Sequence, residues 1–151
     1  MDAVTQVPSP VNEPVHDYAP GSPERAELEG ALAELGSAQT ELPHTIGGER
    51  VTGSGDPVEV RRPDKHDVVL GVLHNATVEE SHRAVAAAKE AAPGWRAMSF
   101  DDRAAILLKA AELLSGPWRA RMNAATMLGQ SKTPYQAEID AACELIDFWR
   151  I

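Results

Sequence analysis

The stretch TPYQAEIDAACELIDFWRI, residues 133–151, has the sequence pattern of a helix with a well-defined start. Thr133 can act as the N-cap, Pro134 suits the first helical position, and Gln136 completes a capping box with Thr133. No glycine, proline or lysine-rich turn follows before Ile151. We therefore predict a helix that continues past the last residue, and we interpret the chain as the N-terminal portion of a longer protein.

A 3.6-residue period divides this helix into two apolar stripes and one polar side. The first stripe contains Tyr135, Ile139, Ala142, Ile146 and Trp149, and the second contains Ala137, Ala141, Glu144, Phe148 and Ile151. The polar side contains Gln136, Asp140, Cys143, Asp147 and Arg150.

Cys143, the only cysteine of the chain, falls on this polar side. Asp140 and Asp147 lie at i−3 and i+4, and nearby carboxylates raise the pKa of a thiol. The interior of a helix offers no N-terminal dipole to stabilise a thiolate, and no histidine shares this side. We therefore predict that Cys143 is a tolerated small residue and not a nucleophile.

Glu144 interrupts an otherwise apolar stripe of the same helix. A buried carboxylate requires an ion pair or hydrogen bonds. The pattern alone favours a glutamate at the edge of the stripe whose carboxylate reaches water. The alternative is a carboxylate that meets a cation, supplied either by the protein or by a ligand.

The rest of the chain predicts a mostly helical α+β protein. Residues 1–21 contain four prolines and few large apolar groups, so we expect an extended arm, followed by a single incomplete domain over residues 22–151. Residues 43–74 have short β-branched runs separated by glycine-containing turns, which is typical of two or three short antiparallel strands.

Four further helices are predicted from their caps and breakers. The first is capped by Ser22, carries a stripe of Leu28, Leu32 and Leu35, and ends at Gly36. The next three run from Thr77 to the break at Pro93–Gly94, from Ser99 to Ser115–Gly116, and from Trp118 to Gly129.

Composition excludes several classes of function. The chain has 151 residues, 43% apolar content and a formal net charge of −9. The acidic balance argues against non-specific nucleic-acid binding, and no apolar run approaches the roughly 20 residues of a membrane span. The N-terminus lacks the basic and apolar regions of a secretory signal and the arginines of a mitochondrial presequence. We therefore expect a cytoplasmic protein.

Two motifs that suggest ligand binding are incomplete. GQSKT, residues 129–133, ends like a phosphate-binding loop, but the required glycines are replaced by Ser131 and Thr126, and a predicted helix leads into it. A helix–helix connection is the favoured interpretation. The five histidines form no close i, i+4 pair, and one cysteine cannot complete a mixed metal site, so we expect no metal.

Four segments resemble one branch of the aldehyde dehydrogenase superfamily, the 1-pyrroline-5-carboxylate dehydrogenases. They are NEPVHDYAPGSPERAELEGAL (12–32), PDKHDVVLGVLHNATVEESHRAVAAAKEAAPGW (63–95), DDRAAILLKAAELLSGPWR (101–119) and TMLGQSKTPYQAEIDAACELIDFWR (126–150). The helix that begins DDRAAIL is shared across aldehyde dehydrogenases, whereas the arm and the ELIDFWR run are typical of this branch. The similarity extends from about residue 12 to the end and corresponds to roughly the first quarter of such an enzyme.

This resemblance implies an N-terminal part of an α/β aldehyde dehydrogenase fold. It implies an enzyme that oxidises L-glutamate 5-semialdehyde to L-glutamate with NAD during proline degradation, and that forms a homo-oligomer when complete. In the family a thiolate attacks the aldehyde, hydride passes to NAD and water hydrolyses the thioester. The catalytic cysteine, the general base and the main NAD-binding segments come later in the family's chain, so we expect residues 1–151 to be inactive alone.

One functional residue carries over by resemblance. In this branch a glutamate of the ELIDF run faces the substrate and receives its α-ammonium group, and the matching residue is Glu144. The competing hypothesis is a helical interaction module without catalysis, derived from the same family.

Overall fold

The computed structural model describes residues 5–151, which form two compact units. One unit combines the residues up to Ser37 with Ser99–Ile151, and the other is Ala38–Met98. The mostly helical α+β class predicted from the sequence is confirmed.

The unit Ala38–Met98 contains the strands and one long helix. Its elements are β1 (Thr40–Glu41), β2 (His44–Ile46), β3 (Glu49–Val51), β4 (Pro57–Arg62), β5 (Lys65–His74) and α2 (Val78–Ala97). Strands β4 and β5 pair antiparallel, and β2 and β3 form a second antiparallel pair, so the predicted antiparallel pairing is confirmed. Residues 43–74 contain these four strands and not the two or three predicted.

The short strand β1 was not predicted, because it lies before the β-branched runs and pairs parallel with β5. Two residues carry too little pattern to reveal such a strand. The pairing depends on Gly71 of β5, since a Cβ atom at this position would lie 2.3 Å from the carbonyl oxygen of Thr40. Gly71 thus allows the close approach of β1 to the sheet.

Helix α2 begins as predicted, but its predicted end is wrong. The side chain of Thr77 accepts a hydrogen bond from the N–H of Glu80, and the Glu80 side chain accepts one from the N–H of Thr77, which completes the capping box. The helix does not stop at Pro93–Gly94 and continues to Ala97. Proline removes only one hydrogen bond here, and the N–H of Met98 closes the last turn onto two nearby carbonyls.

The other unit consists of the arm, defined as residues 5–21, and helices. These are α1 (Pro23–Gly36), α3 (Phe100–Ser115), α4 (Arg119–Gln130), α5 (Pro134–Ala137), a π-helical segment (Glu138–Cys143) and α6 (Glu144–Arg150). Ser22, Ser99 and Thr133 accept the capping bonds expected of them. Helix α4 ends one residue later than predicted, where Ser131 adopts a left-handed φ of 54°.

Two apolar clusters form the core of this unit. Ala111 and Leu114 of α3 pack against Ala142 and Ile146, with Trp149 at the edge of the cluster. The predicted leucine stripe of α1 is confirmed in the second cluster, which joins Leu28, Leu32 and Leu35 to Ala124 of α4 and to Tyr18 of the arm. The arm therefore contributes a buried side chain to the helical core.

The helices found within residues 5–151 include none with the length and apolar content that a membrane span needs.

Candidate functional site

The helix predicted from Thr133 onward changes its hydrogen-bonding pattern in the middle. Residues Glu138–Cys143 are π-helical, and the N–H of Glu144 donates to the carbonyl of Ile139, five residues earlier. A π-helical turn takes up more residues than an α-helical turn, so side chains within and after it shift around the axis. Glu138 and Cys143 are buried, whereas Glu144 is exposed.

Glu138 is the centre of a buried polar network. Its side chain is fully buried and forms an ion pair with Arg119 of α4. Tyr18 donates its hydroxyl hydrogen to Glu138 Oε2 at 2.6 Å, and Asn123 Nδ2 donates to the same oxygen at 2.8 Å. The backbone N–H of His16 donates to Glu138 Oε1 at 2.8 Å. Four donors from the arm and α4 therefore surround one carboxylate.

Arg119 connects this carboxylate to the arm. Its guanidinium forms a second ion pair with Glu13 and donates to the carbonyl of Pro14 at 2.6 Å. The Arg119 side chain is almost completely buried, with 6% of its surface exposed. We refer to Arg119, Glu138, Asn123, Tyr18 and Glu13 as the Arg119–Glu138 network.

The network keeps its charged groups ionised despite burial. Burial acts to raise the pKa of Glu138, but the hydrogen bonds from Arg119, Tyr18 and His16 outweigh it and lower the pKa to about 2. Burial acts to lower the pKa of Arg119, and the pairing with Glu138 and Glu13 raises it by more. Burial and the Glu138 carboxylate together raise the pKa of Tyr18, so its hydroxyl remains a donor.

The predicted environment of Cys143 is wrong. An uninterrupted α-helix would place it beside Asp140 and Asp147 on a polar side, whereas the π-helical segment turns it inward, where 5% of its surface is exposed. Its Sγ lies 3.5 Å from Arg119 Nη2 and 3.7 Å from Glu138 Oε1. Burial first, and then the Glu138 charge, raise the pKa of the thiol to about 11. This pKa supports the prediction that Cys143 is not a nucleophile.

Glu144 lines an open cleft of about 430 Å³ to which residues of the π-helical segment also contribute. The cleft is bounded by Met122, Thr126, Gln130, Lys132, Asp140, Ala141, Glu144, Leu145 and Phe148. Lys132 Nζ lies 2.6 Å from Asp140 Oδ2, so the cation of the cleft is already paired. The exposure of Glu144 agrees with a carboxylate that reaches solvent at the edge of the stripe.

The GQSKT motif has a structural role, and so does the glycine pair Gly47–Gly48. GQSKT connects α4 to α5, and its Thr133 hydroxyl is used in the capping box with Gln136. Gly47 and Gly48 form the β2–β3 turn with φ values of 61° and 85°. In the part of the chain that the structure describes, no group of three or more histidine, cysteine or acidic side chains could hold a metal ion.

These observations also test whether the chain could bind a dinucleotide. A dinucleotide fold places a glycine-rich turn between a strand and a helix. Here the glycine of GQSKT belongs to α4, and the Gly47–Gly48 turn joins two strands. Neither segment fits a nicotinamide cofactor, so no residue of the described range is assigned to one.

Sequence reasoning missed the Arg119–Glu138 network. Glu138 belongs to neither apolar stripe of the predicted helix, and its partners are 15 to 122 residues away along the chain. A weak signal was present in α4, where Arg119 and Asn123 are four residues apart and therefore share a helical face. The pattern of α4 did not reveal that this face is buried.

Comparison with known proteins defines the class of this chain. Residues 51–150 match the model of the aldehyde dehydrogenase family, which is more than half of the sequence. The chain therefore belongs to the aldehyde dehydrogenase family.

Within that family, its relatives are Delta-1-pyrroline-5-carboxylate dehydrogenases, as the sequence resemblance predicted. The Agaricus bisporus enzyme is 46% identical over 149 residues, which are 98% of this chain and 27% of that enzyme. The mitochondrial human enzyme is 44% identical over 139 residues, which are 92% of this chain and 24% of that enzyme.

Solved structures support the same fold. The Delta-pyrroline-5-carboxylate dehydrogenase of Mycobacterium tuberculosis, crystallised with NAD, is 58% identical and superimposes with a TM-score of 0.95, covering 99% of this chain and 28% of that one. The Thermus 1-pyrroline-5-carboxylate dehydrogenase with bound NAD is 28% identical with a TM-score of 0.85, covering 97% and 28%. The predicted fragment of an aldehyde dehydrogenase fold is confirmed, and the chain spans about a quarter of the length of these relatives.

Proposed function

We propose that this chain forms the N-terminal portion of an NAD-dependent dehydrogenase that oxidises L-glutamate 5-semialdehyde to L-glutamate in proline degradation. The observation that carries the proposal is the similarity to the Mycobacterium tuberculosis enzyme, 58% identical over 99% of the chain. The match covers 99% of the chain, so it includes nearly all of the arm and α5–α6, which are the segments that resemble this branch and not aldehyde dehydrogenases in general.

The chain alone lacks activity under this proposal. Its cysteine has a raised pKa of about 11 and is buried against Glu138, so it cannot supply the thiolate that the chemistry requires. When bound, NAD would accept the hydride, and its site belongs to parts of the enzyme that residues 5–151 do not supply. The complete enzyme would act as a homo-oligomer on a small-molecule substrate, without nucleic acid.

The experiment compares the 151-residue chain with the same chain fused to the remaining three quarters of a relative such as the Mycobacterium tuberculosis enzyme. NADH formation from L-glutamate 5-semialdehyde is followed by absorbance. We expect turnover from the fusion and none from the chain. Turnover by the chain would contradict the predicted inactivity, and a folded but inactive fusion would contradict the proposed activity.

Glu144 is the residue of this chain proposed to bind substrate. Its carboxylate is exposed in a cleft lined by both apolar and polar side chains, in which the one cation, Lys132, is already paired to Asp140. An α-ammonium group from a glutamate-like substrate would provide the missing positive charge. In the fusion enzyme, Glu144→Ala should raise KM for the semialdehyde with little change in KM for NAD. Unchanged kinetics in a stable variant would contradict this role.

The same proposal includes a cytoplasmic location, although the bovine and human relatives are named mitochondrial. The location is tested by fractionating cells that express the native gene.

The competing hypothesis of a non-catalytic helical module predicts that the isolated chain is monodisperse and unfolds cooperatively. A poorly cooperative, aggregating chain would support a portion of an enzyme, because Phe148 and Ile151 expose 76% and 85% of their surfaces.

A further inference from the structure

The two ends of the π-helical segment meet at one guanidinium group. Glu138, the first residue of the segment, pairs with Arg119, and Cys143, the last residue, lies 3.5 Å from the same side chain. Glu144 follows directly, and its backbone N–H makes a hydrogen bond to Ile139 five residues earlier. Arg119 therefore holds the irregular turn from which the Glu144 side chain projects.

Helix α4 carries the network and the cleft on two adjacent faces. Arg119 and Asn123, four residues apart, contact Glu138, while Met122 and Thr126, also four residues apart, line the cleft with Glu144. The buried network and the proposed substrate carboxylate are thus joined by one rigid helix and one π-helical segment. A displacement of Arg119 or Glu138 would therefore shift the same helix and π-helical segment that line the cleft.

The arm completes this arrangement. Glu13 pairs with Arg119, the N–H of His16 donates to Glu138 at 2.8 Å, and the hydroxyl of Tyr18 donates to Glu138 at 2.6 Å. Asp147 of α6 also accepts from the backbone N–H of Glu13 at 2.7 Å. The arm therefore contacts residues that precede and follow Glu144 along the chain.

We propose that the arm, through Arg119 and Glu138, fixes the π-helical register that directs Glu144 toward the α-ammonium group of the substrate. Arg119 and Glu138 are positioning residues in this proposal, and it rests on the substrate role proposed for Glu144. A helix that relaxed to regular α-helical bonding would rotate the residues that follow relative to α4. Since charged hydrogen bonds depend strongly on geometry, such a rotation would weaken recognition of the ammonium group.

The test measures discrimination between two substrates in the fusion enzyme. L-glutamate 5-semialdehyde carries the α-ammonium group, and 5-oxopentanoate has the same chain and aldehyde without it. We expect Glu138→Gln to raise KM for the amino substrate about tenfold relative to KM for 5-oxopentanoate. Loss of one well-placed charged hydrogen bond weakens binding by about this factor. KM for NAD and kcat at saturation should stay close to those of the unsubstituted enzyme.

Three controls separate positioning from general damage. Glu80→Gln alters a buried carboxylate in the other unit and should leave the ratio of the two KM values unchanged. The double variant Glu138→Gln/Glu144→Ala should discriminate no worse than Glu144→Ala, because both changes remove the same contact. If Glu138→Gln does not fold, Arg119→Lys keeps the charge but loses the paired geometry, and it is measured in the same way.

The outcomes are distinguishable. A raised ratio of KM for the amino substrate to KM for 5-oxopentanoate in Glu144→Ala, together with an unchanged ratio in Glu138→Gln and Arg119→Lys, would overturn the positioning role and leave the proposed function intact. An unchanged ratio in Glu144→Ala would remove the substrate role of Glu144 and this inference with it, while NADH formation by the fusion enzyme would still support the reaction. Equal loss for both substrates in Glu138→Gln would also overturn positioning, since it would show a structural effect alone.

Discussion

Two buried carboxylates, one in each unit, are kept ionised in different ways. Glu138 pairs with Arg119 and receives hydrogen bonds from the arm and from α4. Glu80 receives hydrogen bonds from the N–H of Thr77 and from the N–H and hydroxyl of Ser54. The pKa of each carboxylate is about 2, yet only Glu138 has a buried opposite charge as its partner.

The difference determines what each residue contributes to its unit. Neutral donors at the start of α2 fix a local turn and the loop that contains Ser54, close to solvent. The Arg119–Glu138 network fixes an arm, a helix and a π-helical segment at the same time. Because Arg119 is buried, the loss of Glu138 would leave an arginine without its main partner away from water.

The largest expected effect therefore comes from Glu138→Ala. Removal of one partner of a buried ion pair costs roughly 3–5 kcal/mol, so the arm and the π-helical segment should open far more often. Native-state hydrogen exchange of the fusion enzyme, read in peptides from each unit of this chain, measures this loss. Protection should fall in the arm, α4 and α5–α6 and remain unchanged in α2. A uniform loss in both units would contradict the comparison.

Acid should reveal the second largest effect. The pKa of Glu138 falls from its ordinary 4.5 to about 2 in the folded chain, and Glu80 behaves in the same way. A lowered pKa means that the unfolded chain binds protons first, so the stabilisation is full above pH 4.5 and is lost as the pH falls toward 2. Urea unfolding between these pH values should show this loss.

Single glutamine substitutions assign the acid effect to its source. Glu138→Gln should flatten the pH dependence measured with probes in α4 and α6, and Glu80→Gln should flatten it only in α2. If either variant keeps the full pH dependence of its own unit, the carboxylate is not the group responsible.

The two carboxylates also differ in what the sequence reveals. Thr77 and Glu80 are three residues apart, and this spacing predicts the capping box that the structure contains. Capping is a local interaction, so a short window of sequence is sufficient. The partners of Glu138 come from the arm and from α4, and no spacing along the chain connects them.

The misplacement of Cys143 has a related cause. The helical period assumes one hydrogen-bonding pattern throughout, and the change at Glu138–Cys143 shifts the side chains that follow. A capping box at Thr133 fixes the start of the helix but carries no information about its middle. The exposure of Glu144 could be predicted, because a carboxylate in an apolar stripe favours its solvent edge, whereas the π-helical segment beside it depends on tertiary contacts.

A smaller effect is expected at the start of α2. Thr77→Ala removes the side chain that accepts from the N–H of Glu80 at 3.2 Å, and loss of an N-cap costs about 1 kcal/mol. Urea unfolding followed in α2 measures the change. Val78→Ala is the matched control, since Val78 is 74% exposed and adjacent to the cap, and its effect should stay within about 0.5 kcal/mol. Equal effects of the two substitutions would show that the cap adds nothing.

Cys143 is expected to contribute least to stability, because its uncharged thiol only contacts the Arg119–Glu138 network. Its position is tested through the reactivity of the thiol. Burial and Glu138 raise its pKa from 9.0 to about 11, so the folded chain holds about a hundredfold less thiolate at pH 8 than the unfolded chain. A disulfide reagent should therefore label the native chain at least about a hundredfold more slowly than the chain in urea at the same pH. Glu138→Gln removes the nearby negative charge and should speed native labelling, because the thiol pKa then falls. If the native and unfolded chains react at equal rates, Cys143 is not enclosed by the arm, and the π-helical segment does not turn it into the network.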